Sequence, residues 1–200
     1  CLQVVGGNIN IRWVCSRVIQ KSGFKTEHFS GTSSGVFPAL FGCLGFDAEE
    51  IFYSGFSIPV LQETARHLCG ALFTRHNIIR RRLRQILPED AYRRAEGKLH
   101  ITLTHLWSFE QVIISEWVDN DDLIECMLAA GFVPGTFECG LTAQYQGYRY
   151  LDGGIIDNQP VVQGCLFDPR GGSEAGWLPN FGGLVLGCMD SYDSEKGRIL

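Results

Sequence analysis

Residues 31–35 read Gly31-Thr32-Ser33-Ser34-Gly35, and no other feature of the chain restricts its fold as much. This G-x-S-x-G lies between "KTEHFSG", a short strand pattern, and "SGVFPALFGCLGF", a helical run rich in small residues. Pro38 is tolerable in that helix only near its first turn. A serine between a strand and a helix, flanked by glycines, sits on a sharp turn that presents its hydroxyl for attack. The same five residues can also form an ordinary glycine-serine loop. The motif needs partners before it means chemistry.

The surrounding pattern supplies the setting. "CLQVVGG" reads as a strand entering a turn, and "IRWVCSRVIQKSGF" as a helix stopped by Gly23. "DAEEIFYSGFSIPVLQETARHLCGALF" opens on acidic residues, as a helix start does, and continues with a helical pattern. In "HNIIRRRLRQIL", residues 76–87, Ile78, Ile79, Leu83, Ile86 and Leu87 share a face, Arg80, Arg81, Arg82 and Arg84 lie elsewhere, and Pro88 ends the helix. That helix can either pack its apolar face and solvate its arginines, or rest on an anionic lipid surface. "KLHITLTHL" alternates as a strand with one polar face, "WSFE" reads as a hairpin turn, and "EQVIISEW" is the returning strand. "DNDDLIECMLAAG" is a helix, "YQGYRYLDGG" a strand running into a glycine turn, and "GGLVLGCMD" a last strand. Strands alternating with helices predict an α/β fold with a mostly parallel sheet. The long loop "FDPRGGSEAGWLPNFGG" has the length of a functional or mobile segment.

A nucleophilic serine needs a proton acceptor. The histidines are His28, His67, His76, His100 and His105, with none after position 105. The order serine, acid, histidine of ordinary α/β-hydrolases would confine the whole triad to the first half of the chain. A carboxylate can replace histidine if burial raises its basicity. Leu151-Asp152-Gly153-Gly154 places an aspartate at a strand end, where two glycines permit close backbone approach. Alone, D-G-G is a common turn; beside a G-x-S-x-G in an α/β chain, Asp152 is the candidate base. Gly6-Gly7, between the first strand and the first helix, could present backbone N–H groups to an oxyanion, or simply form a turn.

Composition narrows the classes. A net charge of −5 gives no footprint for nucleic acid. No apolar run approaches the roughly 20 residues of a membrane span. The length and a hydrophobic share of 45% suit one globular domain over residues 1–200. The chain opens on Cys1 without a visible signal peptide, which reads as a piece of a longer protein. Eight cysteines stand singly, with no C-x-x-C and no zinc spacing, so buried thiols in a reducing compartment are expected. Neither a metal nor a cofactor is expected.

These parts, in this order, resemble the patatin-like phospholipase family. "GKLHITLT", "VIISEW", "DDLIECMLAAGFVP" and "YRYLDGGIIDNQP" look like its animal branch, which includes adipose triglyceride lipase and adiponutrin. The likeness runs from about residue 4 to 165. It implies a three-layer α/β/α sandwich, with Ser33 as nucleophile and Asp152 as base. Gly31, Gly35, Gly153 and Gly154 would support the two turns, and Gly6, Gly7 and Asn8 would form the oxyanion loop. It implies hydrolysis of acylglycerol or phospholipid esters through an acyl-Ser33 intermediate. The expected partner is a lipid at a droplet or membrane surface, with a peripheral, intracellular location. A regulatory protein partner is left open. The oxyanion loop departs from the family's glycine triad, because Asn8 and Ile11 stand where glycines are usual. Arg12 could supply charge there. A weakened loop would leave a lipid-binding protein with little activity, and acyl transfer on the same site is the third outcome. Gly131, Phe132 and Pro134 match a family motif near the acyl pocket but also read as a helix stop and bend. Asn158 and Pro160 would fix the aspartate turn, and Asp157 is a solvated or capping carboxylate. His100 and His105 read as surface or hydrogen-bonded residues.

Overall fold

The computed structural model describes residues 13, 16–18, 20–21, 26–66, 75–132 and 142–155, with the backbone of 2–4, 184–185, 192–193 and 198–199. Among the described residues, seven strands form one sheet: β1 (Leu2–Val4), β2 (Phe29–Thr32), β3 (Leu99–His105), β4 (Gln111–Ile114), β5 (Ala143–Tyr145), β6 (Tyr148–Asp152) and β7 (Leu184–Val185). A separate pair joins β8 (Tyr192–Asp193) to β9 (Arg198–Ile199). The helices are α1 (Val36–Cys43), α2 (Ala48–Glu50), α3 (Ser57–Arg66), α4 (Arg75–Ile86), α5 (Ala91–Ala95) and α6 (Asn120–Ala130). The described residues from Trp13 to Lys21 are also helical. The α/β class is as expected, with helices on both sides of a mixed sheet. Its centre is parallel, β1 with β2 and β2 with β3; β4, β6 and β7 pair antiparallel around that centre.

The sequence pattern explains the core. Leu99, Ile101 and Leu103 of β3 are fully buried, and Leu40, Phe41, Leu123 and Met127 of α1 and α6 join the same cluster. The polar face expected for β3 is buried too: Thr102 and Thr104 are inaccessible, as are Ser30 and Thr32 on β2. Central strands covered on both faces lose the solvated side that alternation suggests. Asp47 caps α2 by accepting from the Glu50 N–H at 2.8 Å, and Asp119 caps α6 by accepting from the Asp122 N–H at 2.8 Å. Pro38 falls at the third residue of α1, where no intrahelical N–H bond is lost.

The stretch "YQGYRYLDGG" is a hairpin rather than one strand. Gln146 and Gly147 turn between β5 and β6 with φ of 46° and 81°, the geometry of a two-residue turn with both centres left-handed.

The arginines of α4 are engaged by the protein. Arg80 reaches both carboxylate oxygens of Glu125, at 2.5 and 2.9 Å. Arg81 pairs with Glu63, and Arg84 with Asp121 at 2.7 Å. Arg82 donates to the carbonyls of Gly55 and Ser54 at 2.6 and 3.1 Å. Each exposed pair contributes little by itself, but together they set α4 between α3 and α6. Of its two readings, the packed helix holds: Ile78, Ile79 and Leu83 are buried and the arginines are spoken for. Cys43 and Cys126 are free thiols. Burial pushes the first up to about 11 and the second to about 12.

Candidate active site

The register of β3 brings the two candidate residues to one place. Ile101 and Thr102 pair with Gly31 and Thr32 of β2, and also with Ile114 and Ile113 of β4. Leu103 and Thr104 pair with Asp152 and Leu151 of β6, and also with Val112 and Gln111 of β4. A strand residue has one neighbour on each side, so β2 and β6 both lie across from β4, on a single edge of β3. β2 runs parallel to β3 and β6 runs against it. They meet head to head, β2 ending beside Thr102 and β6 ending beside Leu103. Ser33 follows the end of β2, and Asp152 is the end of β6.

The serine turn is sharp and strained. Thr32 is extended (φ −129°, ψ 139°), Ser33 has φ 55°, and Gly35 has returned to helical values. A non-glycine residue in the left-handed region costs of order 1–3 kcal/mol, held only by its surroundings. Ser33 remains half-exposed, while Thr32 and Gly35 are buried. Gly31 is required by close approach: a Cβ there would lie 2.6 Å from the Val36 Cα, where α1 begins against the strand. The first turn of α1 holds no acidic residue, so its positive dipole end is not neutralised from within.

The aspartate turn is held by backbone contacts. Asp152 is 4% exposed. Its N–H donates to the Phe132 carbonyl at 2.9 Å, and its Oδ1 accepts from the Gly154 N–H at 2.7 Å. The buried Thr104 hydroxyl donates to the Asp152 carbonyl at 3.0 Å and also reaches that of Gly153 at 3.4 Å. Gly153 is packed against β3, where a Cβ would fall 2.2 Å from the Thr102 carbonyl oxygen.

A third segment touches both turns. Gly131 caps the end of α6, and its Cβ position faces the Ser33 carbonyl carbon and oxygen at 3.9 and 4.0 Å. The next residue, Phe132, accepts from Asp152, and its ring lies 5.7 Å from that of the buried His76. Gly131-Phe132 is the helix stop the sequence suggested, and it is also the bracket between the turns. Thr104 went unrecognised in the sequence, because an alternating threonine signals only a polar face. Its role follows from the pairing of β3 with β6, which the sequence does not display.

Gly6, Gly7 and Asn8 lie outside the described residues, as do Ile11, Arg12, Gly23, Pro134, Asp157, Asn158, Pro160 and the loop 167–183. The last described residue of β1, Val4, pairs with Gly31. His105 is hydrogen-bonded, its Nδ1 3.0 Å from the Ser108 Oγ. His100 stacks near His28 at 5.7 Å, and burial, then the neighbouring His28, lowers its pKa. Among the described residues no cluster of His, Cys, Asp or Glu could hold a metal ion, and no helix is long and apolar enough to cross a membrane.

A left-handed serine at a strand–helix turn, beside a buried aspartate at a facing strand end of an α/β sheet, has the backbone geometry of a nucleophile elbow. The family model for patatin-like phospholipases matches residues 13–163, and the chain belongs to that family. It is 38% identical over 144 residues to human patatin-like phospholipase domain-containing protein 2, covering 68% of this chain and 27% of that protein. It is 36% identical over 143 residues to human omega-hydroxyceramide transacylase, covering 69% of this chain and 26% of that protein. It is 29% identical over 111 residues to human patatin-like phospholipase domain-containing protein 4, covering 54% of this chain and 43% of that protein.

Proposed function

We propose that this chain carries the active site of a lipid acyl hydrolase that cleaves carboxylic esters of acylglycerols or phospholipids through a Ser33–Asp152 dyad. The observation that carries this reading is the head-on meeting of β2 and β6 along one edge of β3. Asp152 takes the Ser33 hydroxyl proton as Oγ attacks the ester carbonyl carbon. The tetrahedral oxyanion collapses, the ester C–O bond breaks, and the alcohol leaves with the proton from Asp152. Water then attacks acyl-Ser33, giving one proton to Asp152; the acyl C–Oγ bond breaks, Asp152 returns that proton to Ser33 Oγ, and the carboxylic acid departs. The field at the start of α1 favours the developing negative charge. Gly6, Gly7 and Asn8 are assigned as oxyanion donors. The substrate is met at a droplet or membrane surface, and the protein is peripheral to it.

The match to a relative named a transacylase supports a second reading, in which an acylglycerol hydroxyl replaces water as acceptor. The first half of the reaction is the same. A fluorophosphonate probe tests the dyad: wild type is expected to label, Ser33→Ala to fail, and Asp152→Asn to label roughly 10²-fold or more slowly. A folded wild type that does not label would overturn it. Product analysis with a monoacylglycerol acceptor then separates transfer from hydrolysis.

A further inference from the structure

The hairpin between β3 and β4 breaks two local rules together. Trp107 is 76% exposed and Phe109 55%, at a turn where small polar residues are usual. Phe109 also has φ 53°, a left-handed position that glycine or asparagine fills at lower cost. The tip is nonetheless well tied. The His105 N–H donates to the Glu110 carbonyl at 2.9 Å, the Phe109 N–H to the His105 carbonyl at 3.0 Å, and the Leu106 N–H to the Arg149 carbonyl at 3.0 Å. A sequence that holds two aromatic rings in water on a strained, hydrogen-bonded turn is not arranged for stability alone.

Position and charge indicate what the tip meets. β2 pairs with β3 only as far as Thr102, next to the Ser33 turn. β3 continues to His105, about 10 Å further at the rise of a strand. The tip therefore stands beyond the Ser33 turn, at the same end of the sheet. Tyr148, 61% exposed, meets the His105 ring edge-on at 6.0 Å, and Ile155, after the Asp152 turn, is 47% exposed. Between Leu106 and Ser115 the only charged residue is Glu110. Aromatic rings with little charge match the headgroup boundary of a zwitterionic surface, where apolar and polar surroundings meet. An anionic surface would call for a basic cluster, and Arg80, Arg81 and Arg84 of α4 are already paired with carboxylates of the protein.

We infer that Trp107 and Phe109 seat the hairpin tip in a zwitterionic lipid surface and set the Ser33 end of the sheet against it. This deepens the reading of Ser33 as a lipid acyl hydrolase and rests on it for its purpose, but docking can be measured without turnover. The Ser33→Ala protein is mixed with phosphatidylcholine vesicles and floated, with and without W107S/F109N. The double variant is expected to partition about tenfold less or weaker still, and its thermal melt reports that it is folded, asparagine being suited to the left-handed site. Equal partition of the two proteins overturns the inference, as does binding that appears only when phosphatidylserine is added. If the substitutions abolish only self-association in sedimentation velocity, the tip joins copies of this chain and the inference fails. With Ser33 intact, the double variant should turn over a soluble short-chain ester at the wild-type rate and lose turnover of vesicle-borne ester. Vesicle docking that depends on the tip, with no turnover of either ester by the wild type, would sink the hydrolase reading and leave the docking standing.

Discussion

The two turns that meet on β3 solve the same problem by opposite means. At the end of β2 a side-chain-bearing residue, Ser33, is forced into a left-handed conformation and left half-exposed. At the end of β6 Asp152 is buried, and the residue after it, Gly153, has no side chain because β3 leaves no room for one. One turn stores strain in order to present a hydroxyl. The other uses contact and hydrogen bonds to hold a carboxylate still. On the proposed dyad Ser33 must reach substrate, whereas Asp152 needs only to reach Ser33, so strain suits the first and tethering the second.

The largest test of that contrast is Gly153→Ala. Its Cβ would enter within 2.2 Å of the Thr102 carbonyl oxygen, a backbone atom that cannot step aside. The cost is expected near the upper end for overpacking, about 3 kcal/mol, read as a fall in the urea midpoint with probe labelling lost. Gly31→Ala is expected to cost less, because its nearest contact is 2.6 Å, to the Val36 Cα. Equal tolerance of alanine at both sites would erase the distinction between the turns.

Thr104→Val removes the hydroxyl that holds the Asp152 carbonyl and keeps the shape of the side chain. A buried acceptor loses a partner, so about 1–2 kcal/mol of stability is expected to go. On the proposed dyad Thr104 acts through Asp152 as a positioning residue, so the labelling rate should fall and Thr104→Ser should restore it. A Val variant that loses stability but labels as fast as wild type would make Thr104 a packing residue only.

The turns themselves were readable because their residue types state a local requirement. A glycine pair after an aspartate and a G-x-S-x-G between strand and helix each prescribe backbone shapes, and Ser33 and Asp152 lie on such shapes. What the sequence does not display is that β2 and β6 share an edge of β3. That depends on pairing between segments far apart in the chain, and it alone brings the two turns together. Gln146-Gly147 hid a hairpin because glutamine is a weaker turn signal than asparagine or aspartate before glycine. Arg80, Arg81, Arg82 and Arg84 of α4 suggested a lipid surface because composition counts charges and not their partners. Glu63, Asp121 and Glu125 come from α3 and α6, and only packing places them opposite.

The smallest expected effect points the other way in sign. Ser33→Gly removes the Cβ that makes φ 55° costly, a relief of about 1–2 kcal/mol. It also adds freedom to the unfolded chain, which takes back about 0.4–1 kcal/mol. The net is a gain on the order of 0.5–1 kcal/mol. Ser33→Ala also lacks the hydroxyl but retains the Cβ and its strain. Both variants should fail to label, and Ser33→Gly should melt higher than Ser33→Ala in matched thermal scans. The pair separates loss of the hydroxyl from relief of the turn. If Ser33→Gly is the less stable of the two, the elbow is not a store of strain, and the serine turn is held by the same kind of tethering as the aspartate turn.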